Sequence, residues 1–160
     1  MTREEYYNKK AKYAYELYLA GKPFKKVYAA VKKGDKYVVL KNKTGKYEYA
    51  ISGGGVDPGE DNITAIKREI LEELNMNVEV VRSLGVRHYQ RTWRYEGREF
   101  DVDYEAEIFL TRFISYSNNS SFGLEGEFDK NVSIAEISKE EMLDTVYEFK
   151  VDGMKLGDED

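Results

Sequence analysis

Apolar residues recur along this chain with two different periods, and the places where the period changes mark its elements. Near the start, Tyr7, Ala11, Ala14, Tyr15 and Tyr18 share one face at helical spacing. Thr2 and Glu5 read as a capping box, and Gly21 with Pro23 as a stop, so residues 3–20 are predicted to form a helix. Its tyrosine face needs a cover, supplied either by the rest of the domain or by a second subunit in a homodimer.

The period then shortens to that of strands. Residues 26–32 and 36–41 are expected as a hairpin across Gly34-Asp35. A turn at Thr44-Gly45 leads to a short strand at 47–51, which feeds a loop containing Gly53, Gly54, Gly55, Pro58 and Gly59. Later, residues 78–81 and 83–93 read as extended, with a tight turn at Glu96-Gly97. In 101–114 the positions Val102, Tyr104, Ala106, Ile108 and Leu110 alternate onto one face of a long strand. A loop over 115–131, a strand at 132–137 and a short helix complete the pattern. That helix opens with a Ser138–Glu141 capping box and an Ile137–Met142 staple.

Between the two groups of strands lies a helix with two distinct faces. Asp61 or Asn62 is placed to cap it, and Ile63, Ile66, Ile70 and Leu74 form an ordinary core-facing stripe. Glu69, Glu72 and Glu73 follow the i, i+3, i+4 rule, so three like charges crowd together. Acidic helix faces are ordinarily just solvated. A cation over the face would offset the repulsion, and hard divalent ions take carboxylate oxygens together with substrate phosphates.

The spacing around the cluster carries more information. Gly54, Glu60, Arg68-Glu69-Ile70, Glu72-Glu73 and Met76 follow G-x5-E-x7-R-E-U-x-E-E-x-G-U, with U aliphatic. This stretch resembles the box of the Nudix hydrolase family at every defined position except Asn75, where the family carries glycine. A left-handed residue is expected there, and Asn is the side chain that tolerates it best.

The resemblance implies an α/β fold, an α+β mixed sheet in a Nudix-like α/β/α sandwich. It also implies hydrolysis of a pyrophosphate bond in a nucleoside diphosphate linked to another group. Glu69, Glu72 and Glu73, with the carbonyl of Gly53, would hold Mg²⁺, or Mn²⁺ in its place. Arg68 would orient a glutamate, while Gly54 and Glu60 would support the loop. A further carboxylate from a distant loop often completes such sites, as base or metal ligand, and Glu125 and Glu127 are the candidates, with Glu127 also a candidate substrate contact. Arg87 and Arg91 could meet phosphates and Trp93 a base, although packing is the commoner fate of each. Relatives that cleave ADP-ribose tend to carry a proline beyond the box, and none follows Pro58 here. The resemblance therefore leans towards a nucleoside triphosphate substrate. ADP-ribose, nucleotide sugars, dinucleoside polyphosphates, or sensing without cleavage are the alternatives.

Composition narrows this further. At 160 residues the chain suits one domain, divided here into a helix at 1–22, the Nudix region at 23–151 and an acidic tail at 152–160. Zero cysteines exclude disulfides and thiolate-held metals. A net charge of −5 argues against general nucleic-acid binding. No membrane span or apolar leader is evident, so a cytoplasmic protein acting on a small nucleotide is expected.

Overall fold

A computed structural model describes residues 1–118 and 132–157. Their elements run α1 (Arg3–Ala20), β1 (Phe24–Lys33), β2 (Lys36–Asn42), β3 (Tyr49–Ala50), β4 (Ser52–Gly55), α2 (Asn62–Leu74), β5 (Met76–Tyr95), β6 (Arg98–Tyr116), β7 (Val132–Ile137), α3 (Lys139–Thr145) and α4 (Tyr147–Lys150). The strands form one mixed, seven-stranded sheet organised around β1. Along one edge β1 runs parallel to β6, from Phe24 opposite Tyr104 to Lys32 opposite Arg112. The other edge is shared: Val31 to Lys33 pair with β2, and Lys26 to Ala29 pair with β4. Strand β2 carries β7 and the short β3, while β5 lies outside β6.

Alternation in the central strands buries both faces, so each face needs its own helical layer. Val27, Val31 and Phe109 pack with Ile66 and Ile70 beneath α2. On the opposite face Ala30, Ile108 and Leu110 meet Met142 and Phe149 from α3 and α4. A third cluster, with Phe24, Phe100, Val102 and Tyr104, is closed by Ala14 of α1. Tyr15 lies 5.2 Å from Phe100 and Tyr7 lies 5.3 Å from Trp93, so the tyrosine face of α1 packs on the β5–β6 hairpin.

Several local expectations change. The glycine stretch is not a free loop, because Ser52 to Gly55 pair with β1 as a strand. Residues 78–81 and 83–93 belong to one strand, whose predicted break is absorbed by register shifts ending near Gly85. Such bulges keep the ladder running while bending it. The turn at Glu96-Gly97 has both residues at positive φ, 50° and 77°, which suits the strand twist. The strand predicted over 47–51 shrinks to Tyr49–Ala50. At the N-terminus Thr2 Oγ1 caps Glu5 N–H, but Glu5 returns to the Thr2 hydroxyl rather than its backbone. The final helix is two short ones, parted at Val146, which is buried in extended conformation. Among the described residues, no helix is long and apolar enough to cross a membrane.

Candidate active site

The site is built where β4 hands over to α2. Asp61 caps the helix by accepting from Thr64 N–H at 2.7 Å. Asn75 ends it at φ 58°, ψ 38°, in the left-handed conformation that the box position calls for. Between them the helix lies close against β4, and the glycines explain how. A Cβ on Gly53 would stand 2.0 Å from the Val27 carbonyl, and one on Gly54 would stand 2.5 Å from the Glu69 carboxylate. Gly53 therefore permits strand pairing, whereas Gly54 leaves room for a carboxylate.

The helix faces differ from the predicted pattern in one respect. Ile63 is 42% exposed, its expected core place being taken by Ala65, and Glu69 is only 2% exposed. A buried carboxylate must be held by donors. Arg68 supplies one for Glu69 Oε1. Its Nη1 donates to Glu69 Oε1 at 2.9 Å and lies 3.5 Å from Glu72 Oε2. Its Nε and Nη2 form a two-pronged fork on Glu60, at 2.8 and 2.9 Å, and Nη2 also donates to the Gly55 carbonyl at 2.9 Å. One guanidinium thus ties the loop, Glu60 and two carboxylates of the acidic cluster together.

Charge follows geometry. The Arg68 fork holds the Glu60 carboxyl below the usual carboxylate range. In return the Glu60 hydrogen bonds push the guanidinium still higher, so it stays protonated. Glu73 is fixed separately, accepting from Ser52 Oγ at 2.5 Å and from Gly53 N–H at 2.9 Å. Ser52, fully buried, is the site residue that the sequence pattern missed. Its only signal is a polar residue entering the glycines. Behind Gly53, burial pushes the Tyr28 hydroxyl up to about 12, so it stays neutral.

Among the described residues, no three carboxylate or imidazole groups enclose a metal position by themselves. The donors nevertheless suit Mg²⁺ or a similar ion. They are all hard oxygens, the carboxylates of one helix and the carbonyl of Gly53, and the Cβ-free Gly54 brings strand and carboxylate together. Mg²⁺ commonly takes one or two carboxylates and completes its shell with water and substrate phosphates.

The remaining predicted residues lie elsewhere. Arg87 is engaged by Glu148 and Asp152 and sits 5.0 Å from the rings of both Tyr89 and Tyr147, so it joins β5 to the C-terminal cap. Trp93 donates to Tyr104 Oη at 2.6 Å and stacks parallel to Phe24 at 6.3 Å, which gives the ring to packing under α1. Arg91 is exposed and lies 5.5 Å from the Tyr89 ring. Glu125 and Glu127 lie outside the described residues.

Comparisons with known proteins agree with the fold. The NUDIX domain family matches residues 23–150. Among solved structures, a NUDIX hydrolase from Nitrosomonas europaea is similar at 21% identity, over 86% of this chain and 82% of that one, with a TM-score of 0.53. A UDP-X diphosphatase is similar at 17% identity, over 84% of this chain and 59% of that one, with a TM-score of 0.52. No curated protein matches the chain. With its NUDIX domain spanning residues 23–150, the chain belongs to the NUDIX family and is a Nudix-type hydrolase.

Proposed function

We propose that this chain is a divalent-metal-dependent pyrophosphohydrolase of nucleoside triphosphates. The observation that carries the reading is the acidic face of α2, with Glu69 and Glu72 gathered on Arg68 and Glu73 bound to β4 one turn along. Such a face repels a polyphosphate on its own. A divalent ion bound there would neutralise phosphate charge and acidify a water. Glu72 and Glu73, with the Gly53 carbonyl, are the groups that would hold it.

Glu69 would accept the proton of the attacking water, with Arg68 holding one of its oxygens and Gly54 leaving room for the group. The water oxygen forms a bond to phosphorus while the bridging P–O bond breaks. Its electron pair leaves with the departing phosphate group. Arg68 and Glu60 act one step back as positioning residues. The triphosphate preference rests on the box resemblance and on the absence of any proline after Pro58.

The test is release of phosphate and pyrophosphate from a substrate panel, with Mg²⁺ and with EDTA, for wild type and Glu72→Gln. The panel spans canonical and oxidised nucleoside triphosphates, ADP-ribose, nucleotide sugars, NADH and dinucleoside polyphosphates. Metal-dependent turnover of triphosphates, lost by about a hundredfold or more in the variant, is expected. Preferential turnover of a nucleotide sugar or ADP-ribose overturns the substrate class but keeps the chemistry. Tight binding with no turnover of any compound overturns the enzyme.

A further inference from the structure

A cleft of about 500 Å³ runs between α1 and the start of the box. One wall is Gly55 to Pro58 with Arg68 and Glu69, the same groups that organise the carboxylates. The other wall is α1, a helix that lies before the matched NUDIX region of residues 23–150. Tyr6, Lys9, Lys10, Tyr13 and Glu16 recur there at i, i+3, i+4, i+7 and i+10, which puts them on one side of the helix. The other side holds Tyr7, Ala14 and Tyr15 against the hairpin, so α1 is docked by one face and presents another to the cleft.

Charge in this cleft runs opposite to the chain's net −5. Its cations are Lys9, Lys10, Lys12 and Arg68, and its acids are Glu16, Asp57 and Glu69. Arg68 already lies against both Asp57, at 3.5 Å, and Glu69, at 2.9 Å. The lining as a whole thus carries four cations to three acids, with the lysines all on α1. Lys9 and Lys12 are exposed, and Lys10 stands over the Tyr6 ring at 4.5 Å. Burial first, then Asp57 and Glu16, push the Tyr13 hydroxyl up, so it is a neutral donor on the same wall.

We infer that the lysine face of α1 binds the phosphates distal to the bond cleaved, so that a substrate carrying a terminal diphosphate lies between α1 and the box. The inference rests on the triphosphate reading above and names the part of the enzyme that would select for it. Lysine ammoniums are compact charges suited to phosphate oxygens without fixed geometry. A cleft lined with them beside low-dielectric aromatic walls focuses the field on an incoming anion. Lys9 and Lys12 are therefore specificity residues for a polyphosphate end, distinct from the carboxylates that work on the scissile bond.

The probe is inorganic pyrophosphate, titrated calorimetrically with Mg²⁺ into full-length wild type and Lys9→Gln/Lys12→Gln. Both lysines are exposed, so the variant is expected to fold; deleting α1 would uncover Phe100 and Tyr104 and is avoided. A control, Lys36→Gln/Lys150→Gln, removes the same charge far along the sequence. Losing two charge-assisted contacts weakens pyrophosphate binding by about tenfold or more in the first variant, with the control near wild type. In kinetics, KM for a triphosphate rises by a similar factor with kcat little changed. Equal weakening in both variants, no weakening in either, or no binding by wild type overturns the inference. Pyrophosphate binding is read independently of turnover, so a failure of the triphosphate reading shows in the substrate panel and a failure of the α1 site shows here.

Discussion

Two arginines in this molecule each hold more than one carboxylate, and they do so to different ends. Arg68 grips Glu60 with two short hydrogen bonds and extends its remaining donors to Glu69, Glu72 and the Gly55 carbonyl. Arg87 stands against Glu148 at 3.7 Å and against Asp152, sandwiched near two tyrosine rings. Their side chains are about equally exposed, 25% and 22%, so burial does not separate them. Direction of the carboxylate shift does. The fork on Arg68 holds Glu60 below the usual range, whereas at Glu148 burial outweighs Arg87 and pushes the carboxyl up. A bidentate fork that lowers its carboxyl organises charge for use; a guanidinium between tyrosine rings, against a carboxyl raised by burial, closes a joint between elements.

Replacing each arginine tests that difference most strongly. Arg68→Ala removes the cation shared by Glu60, Glu69 and Glu72, and misplaced catalytic groups commonly cost about a hundredfold in kcat. Stability also falls, by roughly 3 kcal/mol, as expected when a part-buried ion network loses its centre. Arg87→Ala loosens the contact of β5 with α4 and lowers stability by about 1–2 kcal/mol, with kcat near wild type. Urea denaturation and steady-state rates on both variants separate the two roles. Equal losses of kcat would remove the distinction.

The two carboxylates give the comparison a pH signature of opposite sign. Glu60 is depressed in the folded state, chiefly by its hydrogen bonds to Arg68. Its contribution is therefore complete above the unfolded pKa of about 4.3, and is lost as pH falls through the lower folded value. Glu148 is raised, chiefly by burial, with Arg87 and a backbone hydrogen bond opposing and Asp152 adding to the rise. Its charged form destabilises the fold, so stability declines as pH climbs from the unfolded towards the folded pKa. Glu60→Gln should lose stability relative to wild type at neutral pH and approach it in acid. Glu148→Gln should gain on wild type as pH rises from acid to neutral. Denaturation from pH 3 to 7 measures both, and parallel curves for the two variants would sink the assignment.

Legibility of these features in the sequence tracks how local their causes are. The helix from Asn62, its Asp61 cap, the Asn75 terminus and the turn at Glu96-Gly97 depend on residues within a few positions, and all are where the pattern placed them. Burial of β6 is legible on one face only, because a two-residue period cannot report what covers its other side. Strand β4 reads as loop because glycines signal turns; here they signal a close approach of β1 and α2, which becomes apparent only once Val27 and Glu69 are in place. The Glu73–Ser52 bond spans 21 positions, and the α1 cleft joins Lys9 to Arg68 across β1 and β4. No periodicity carries such pairings. Arg87 and Trp93 were ambiguous for the same reason, since their partners come from α4 and from α1.

The smallest expected effect lies at Asn75, where the family pattern and this chain part. Its φ of 58° is one that a side chain tolerates at some cost, and its N–H bonds to the Leu71 carbonyl while its own carbonyl accepts from Ser117. The backbone thus does the work of the terminus. Its Oδ1 is buried with no hydrogen-bond partner among the described residues, which adds a desolvation cost to the conformational one. Asn75→Gly removes both, against the greater freedom that glycine gives the unfolded chain. The balance is a stabilisation of about 0.5–1 kcal/mol with unchanged kcat, read as a shift in urea midpoint at constant slope. A loss of stability would mean that the Asn75 amide holds the chain end of α2 through a contact stronger than the left-handed strain it tolerates.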